Sequence, residues 1–118
     1  MKTEICVSYN YGGWSLVYSK TIELPFAPFF GLGILINEEK EHYVRLKNNE
    51  CCSTIINYNL EKQQFEINVR NVWRNPVTDE TIDDVIERFS DWEKQHSTNI
   101  SDLKELMLRM LRHHKQIK

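Results

Sequence analysis

The sequence predicts an α+β domain: an antiparallel sheet of about six strands, followed by two C-terminal amphipathic helices packed on one face. Three observations carry that expectation. Hydrophobicity alternates mostly at period two as far as Pro76 and takes a helical period after it. Turn chemistry recurs between the alternating stretches, at Asn10-Tyr11-Gly12-Gly13, Glu38-Glu39-Lys40-Glu41, Asn48-Asn49-Glu50 and Glu61-Lys62-Gln63-Gln64. The 118 residues are 41 % hydrophobic and 27 % charged, ordinary values for a folded domain rather than a disordered chain. A chain of this size hides roughly two-thirds of its surface on folding, enough for a core without metal or disulfide staples.

Each element has its own signal. Ile5, Val7 and Tyr9 alternate with Cys6, Ser8 and Asn10, which predicts a first strand. Gly12 and Gly13 tolerate positive φ, so the chain turns there. A second strand then sets Trp14, Leu16, Tyr18, Ile22 and Leu24 on one face, completing an antiparallel hairpin. Pro25 and Pro28 interrupt the sheet, because neither donates a ladder hydrogen bond. Gly31 to Ile36 is continuously apolar, the pattern of a strand buried on both faces, and His42 to Lys47 reads as a partly exposed strand. From Cys51 to Leu60, Cys52, Thr54, Ile56, Tyr58 and Leu60 alternate with polar neighbours. The last strand places Phe65, Ile67 and Val69 on one face. Thr78 is the predicted N-cap of a helix whose apolar stripe is Ile82, Val85, Ile86, Phe89 and Trp92. A second helix begins near Ser101 and carries Leu103, Leu106, Met107, Met110 and Leu111.

Charge and processing signals narrow the setting. Fifteen basic residues against seventeen acidic give a net charge of −2 and a pI near 6.1, which counts against nucleic acid as the main partner. No apolar segment follows Met1-Lys2-Thr3-Glu4 to make a signal peptide. The longest apolar-rich run, Phe26 to Ile36, holds Pro28, Gly31 and Gly33 and falls well short of the about 20 residues a membrane span needs. Three cysteines imply no disulfide framework, so a reduced, cytoplasmic protein without a membrane segment is expected. Asn99-Ile100-Ser101 reads as helix-capping chemistry rather than a glycosylation site. Asp79 to Glu93 holds seven acids and one base, while Lys104 to Lys118 holds five bases and one acid. Complementing helix dipoles, and facing each other if the helices pack antiparallel, explains that segregation.

The chemistry-bearing residues do not assemble a catalytic set. Neighbours on a strand point to opposite faces, so Cys51 and Cys52 do not converge on one ion. His113 and His114 differ by about 100° around a helix and do not form a chelating pair. The cluster Asp79, Glu80, Asp83, Asp84 and Glu87 reads as a solvated helix face, since calcium loops alternate their oxygens around a glycine turn. His42 and His96 stand alone, and Gly12-Gly13 opens a strand rather than the helix that would bind phosphate. No metal and no cofactor is therefore expected. A triad meets only in space, so an enzyme is disfavoured without being excluded. The tail Arg109 to Lys118 has four lysines and arginines and no interleaved aromatics, which disfavours nucleic-acid binding through the last helix.

Aromatic loop residues are the remaining signal. Phe26, Phe29 and Phe30 lie in the proline-bounded corner, Trp73 and Arg74 in the loop Asn71 to Pro76, and Tyr11 and Trp14 flank the first turn. Such residues either fill the ends of a small core or anchor a partner. Core filling is the favoured use at the three Phe positions, and the two uses stand level at Trp73.

Leu24-Pro25-Phe26-Ala27-Pro28-Phe29-Phe30-Gly31-Leu32, followed by strand hairpins and a helix ending in Trp92, resembles small uncharacterised bacterial proteins with a Leu-Pro-Phe-x-Pro-Phe-x-Gly-Leu signature. The resemblance rests mainly on those nine residues, with looser similarity through about residue 92. It implies a bacterial origin and a compact α+β domain and carries no activity over.

The expectation from sequence is thus a single domain, 1–118, acting as a non-enzymatic interaction or accessory module for an unidentified protein partner. Its expected contact surface is Trp73 and Arg74 with Phe26, Phe29 and Phe30. The alternative is a small-molecule binder or enzyme with a pocket between sheet and helices, where His42, Cys52 and Tyr58 share a face of neighbouring strands. Oligomeric state is open, a dimer included.

Overall fold

The computed structural model describes residues 1–95 and 99–117, the last three by backbone alone. The strands are β1 (Lys2–Tyr11), β2 (Trp14–Glu23), β3 (Gly33–Asn37), β4 (His42–Arg45), β5 (Cys52–Asn59), β6 (Gln64–Val72) and β7 (Glu93–Lys94). Helix α1 (Asp79–Arg88) separates β6 from β7, and α2 (Ile100–Ile117) closes the chain. The class is α+β with both helices at the C-terminal end, as the change of period at Pro76 predicts.

The sheet departs from the expected single antiparallel array. Five strands form one mixed sheet in the order β5-β6-β1-β2-β7, and β3 pairs only with β4 in a separate two-stranded sheet. The pairs β1–β2, β5–β6 and β2–β7 are antiparallel, but β6 runs parallel to β1, with Ile5 opposite Ile67 and Val7 opposite Val69. These four side chains are buried, which is where a parallel pair belongs. Alternation records which side of a strand is apolar and is silent about which strand lies beside it. The run Gly31 to Ile36 is also corrected: β3 is only partly buried and leaves Leu35 exposed, because its small sheet covers the main one instead of lying inside it.

One face of the main sheet makes the core. Ile5 and Val7 of β1, Leu16 and Tyr18 of β2, and Ile67 and Val69 of β6 are buried together with Ile82, Val85 and Phe89 of the first helical stripe and Leu103 and Met107 of α2. Val44 and Leu46 join them from the small sheet. The opposite face carries Glu4, Cys6, Ser8, Asn68 and Arg70, the polar pattern of a sheet side left to water. The Thr78 hydroxyl accepts from the Thr81 amide at the start of α1, and Asn99 Oδ1 accepts from the Asp102 amide at the start of α2. An ion pair of 2.5 Å from Lys104 to Asp83 joins the two helices.

The molecule is longer than its mass requires. Its accessible surface is 7781 Å², against about 6,700 Å² expected for a compact chain of 14.1 kDa. Its Cα radius of gyration is 15.7 Å, against about 13.5 Å. Helix α2 is one cause: 18 residues rise about 27 Å, and past Met107 the described side chains Leu108 and Met110 are exposed and Leu111 is half-buried. No helix among the described residues is long and apolar enough to cross a membrane.

Candidate functional site

The corner that follows β2 is a fixed frame with its rings turned outward. Leu24 and Pro28 are buried. The Leu24 amide donates to the Met1 carbonyl at 2.9 Å, the Gly31 amide donates to the Leu46 carbonyl, and the Leu46 amide donates to the Leu32 carbonyl. Gly31 holds φ +97°, a left-handed conformation that suits glycine. Within this frame Phe26, Phe29 and Phe30 are 44 %, 53 % and 57 % exposed, and Phe26 and Phe29 touch each other at a ring-centroid distance of 5.8 Å. The favoured core role at these positions is overturned. The side chains that seal the corner are Leu24 and Pro28, which leaves no inward position for the rings.

The Trp73 loop is different. Trp73 is half-buried against the core, its ring 5.5 Å from that of Tyr9, and its amide donates to the Asn10 carbonyl at 2.8 Å. Asn10 and Asn71 cross-link β1 and β6 beside it, through Asn10 Nδ2 to Asn71 O and Asn71 Nδ2 to Ser8 O, both 3.1 Å. Arg74 is exposed and donates to the Glu50 carbonyl at 2.8 Å. The two aromatic segments start from opposite ends of β1, one tied to Met1 and the other to Asn10, about 30 Å apart at 3.3 Å per residue.

A second candidate is a cleft of about 430 Å³ between β4, the main sheet and α1. It takes Tyr9, Asn71 and Cys52 from the sheet, His42 and Arg45 from β4, and Arg88 from the end of α1. Local chemistry places these groups. Asn37 Oδ1 accepts from the Lys40 amide, and Glu41 takes a left-handed φ of 52°, which turns the chain into β4 at His42. Asn49 Oδ1 accepts from the Cys51 and Cys52 amides, each at 2.8 Å, and the buried Thr54 hydroxyl donates to the Lys47 carbonyl at 2.8 Å. Cys51 faces out and Cys52 in, as adjacent strand positions must.

Of the three pocket residues predicted from sequence, His42 and Cys52 meet in this cleft and Tyr58 does not. Tyr58 is exposed near the far end of β5, where its ring packs edge-on to Phe65 at 4.9 Å. His42 Nδ1 and Arg88 Nε are both buried without a hydrogen-bond partner among the described residues. Arg88 Nη2 donates to Asp84 at 2.7 Å. Burial pushes the Tyr9 hydroxyl above its usual range, against the opposing pull of the Arg88 guanidinium. Tyr9, Arg45, Lys47, Asn71 and Arg88 are absent from the sequence-derived sets. Arg88 left one signal: it is the single base in the acidic run Asp79 to Glu93.

The other chemistry-bearing groups are already engaged or apart. Asp83 pairs with Lys104, Asp84 with Arg88 and Glu87 with Lys40, so three of the five carboxylates of the α1 cluster are in ion pairs, while Asp79 and Glu80 are exposed. Among the described residues no cluster of three His, Cys, Asp or Glu could hold a metal ion. Cys6 lies on the polar sheet face, where burial and then the charge of Glu4 raise its thiol above the ordinary value. His113 and His114 are exposed on α2, and His96 lies outside the described residues, as do the side chains of the tail from Lys115 on. No protein-family model, curated protein or solved structure matches the chain.

Proposed function

We propose that the chain is a non-enzymatic interaction module that holds another protein through the aromatic corner Phe26, Phe29 and Phe30, with the Trp73–Arg74 loop as a separate, smaller contact. The observation that supports this reading is the exposure of three phenyl rings on a backbone that is itself pinned by buried Leu24 and Pro28. With the backbone already fixed, only the ring rotamers need ordering when the corner is covered, and covering the exposed half of each ring is worth about 1 kcal/mol. Grouped rings of this kind are favoured anchors at protein interfaces.

The test separates contact from folding. A variant carrying Phe26→Ser, Phe29→Ser and Phe30→Ser retains the buried frame of Leu24 and Pro28 and is expected to stay folded, at a cost of no more than about 1 kcal/mol per ring. In cross-linked extracts of the cells that express it, a partner band captured by the parent should vanish with the triple variant. Equal capture by the two chains would remove the corner from the reading.

A further inference from the structure

The cleft beside His42 has a chemistry of its own, independent of the aromatic corner. Three cationic side chains line it, Arg45, Lys47 and Arg88, against one carboxylate, that of Glu41. Neither Arg45 nor Lys47 is in an ion pair among the described residues, and the Arg45 guanidinium lies instead over the Tyr43 ring, 4.9 Å from its centroid. Arg88 reaches Asp84 through Nη2, which leaves its Nε buried and unbonded. His42 Nδ1 is buried and unbonded in the wall of the same cleft. These two nitrogens are closed to solvent, so what the cleft itself presents to a ligand is its three cationic side chains. The volume of about 430 Å³ falls within the range of small-molecule sites, and Val7, Val44 and Val69 supply apolar lining for an organic body.

We propose that this cleft binds a small organic anion, a carboxylate or a phosphate ester, with its charged group held by Arg45, Lys47 and Arg88 and its body against Tyr9 and the valines. A guanidinium offers paired donors to either acid group, which explains two arginines here. A metal cation is disfavoured by the same three charges.

The experiment is an amide NMR titration of the full chain with inorganic phosphate and, separately, with sodium benzoate, at constant ionic strength set by sodium chloride. The expected result is a saturable change centred on Tyr9, His42, Arg45, Asn71 and Arg88 with at least one probe, and the probe that binds more tightly distinguishes phosphate from carboxylate recognition. Arg45→Gln, at an exposed position, should weaken that binding at least five-fold without altering the melt. Arg88→Lys, which keeps the charge and removes the guanidinium's paired donors, should weaken it as well. Lys62→Gln, in the β5–β6 turn, should leave it unchanged. Absence of saturation with both probes, or equal binding by Arg45→Gln and the parent, would overturn the site. An equal loss in Lys62→Gln would reduce the effect to overall charge and overturn it too. If Arg88→Lys fails to fold, Arg45→Gln alone decides.

Discussion

The segment Phe89 to Trp92 and the segment Phe26 to Phe30 both leave a regular element through aromatic residues, yet Phe89 is 1 % exposed and the three corner rings stand about half in water. The Phe89 ring lies among Tyr9, Tyr18 and Trp92, at centroid distances of 6.0, 5.3 and 5.0 Å. It ends a helical stripe, and the phase that directs Ile82 and Val85 at the sheet also directs Phe89. The corner has no such phase. Pro25 and Pro28 break the ladder, and the alternation that β2 would impose on the next residues stops with Leu24. An aromatic side chain is committed to the core by the periodic element that carries it, and its own hydrophobicity does not suffice.

Substitutions can break or sharpen that contrast. The largest effect is expected at Phe89→Ala, about 4 kcal/mol of lost stability, since a fully buried ring with three aromatic neighbours would leave a cavity. Urea denaturation measures it, and a cost no larger than that of the corner variant would abolish the distinction. Trp73→Ala should fall between, at about 2 kcal/mol, because this ring is half-buried on Tyr9. The loss would also confound any binding assay made with Trp73→Ala and Arg74→Ala together, so the corner is the cleaner probe of partner capture.

The smallest effects belong to exposed groups. Asp91, beside the buried Phe89, accepts from Lys20 at 3.0 Å, and that bond, opposed in part by desolvation, holds its carboxyl below the ordinary value of 3.8. A depressed carboxyl contributes stability that is present above the unfolded value and lost as pH falls through the folded one. Asp91 is well exposed and screened, so Asp91→Asn should cost on the order of 0.3 kcal/mol at neutral pH, a difference that shrinks as pH falls below the ordinary value of 3.8. Denaturation midpoints at pH 7 and pH 2.5 check that direction. A difference undiminished at pH 2.5 would assign the effect to packing. The triple serine variant of the corner removes three half-covered rings and should cost no more than about 1 kcal/mol per ring, well under the figure for Phe89.

Local patterns were readable to the extent that they are local. Turn residues and alternation locate β1, β2, β5 and β6 within three positions, and the Thr78 cap locates the start of α1, which ends at Arg88 rather than at the expected Trp92. The parallel seam of β1 with β6 left no trace, because a side chain two positions along a strand looks the same beside either neighbour. Strand β7 is two residues long and contributes no period at all. For the cleft, His42 and Cys52 were legible as strand residues, but they do not share a face of neighbouring strands: β4 and β5 belong to different sheets. Arg88 and Tyr9 join them only because the small sheet folds over the large one, a tertiary fact with no sequence period.

The seam has a kinetic consequence. The main sheet is two hairpins, β1–β2 and β5–β6, each closed by a short turn and able to form on its own. They are joined edge to edge by pairs such as Ile5 with Ile67, whose partners stand 62 positions apart along the chain. Closing a loop of that length costs about 4 kcal/mol in chain entropy before the first contact across it is rewarded. Assembly of this protein is therefore a search by two preformed halves for one register, and the rate of that search, more than the forming of either hairpin, sets how fast the chain folds.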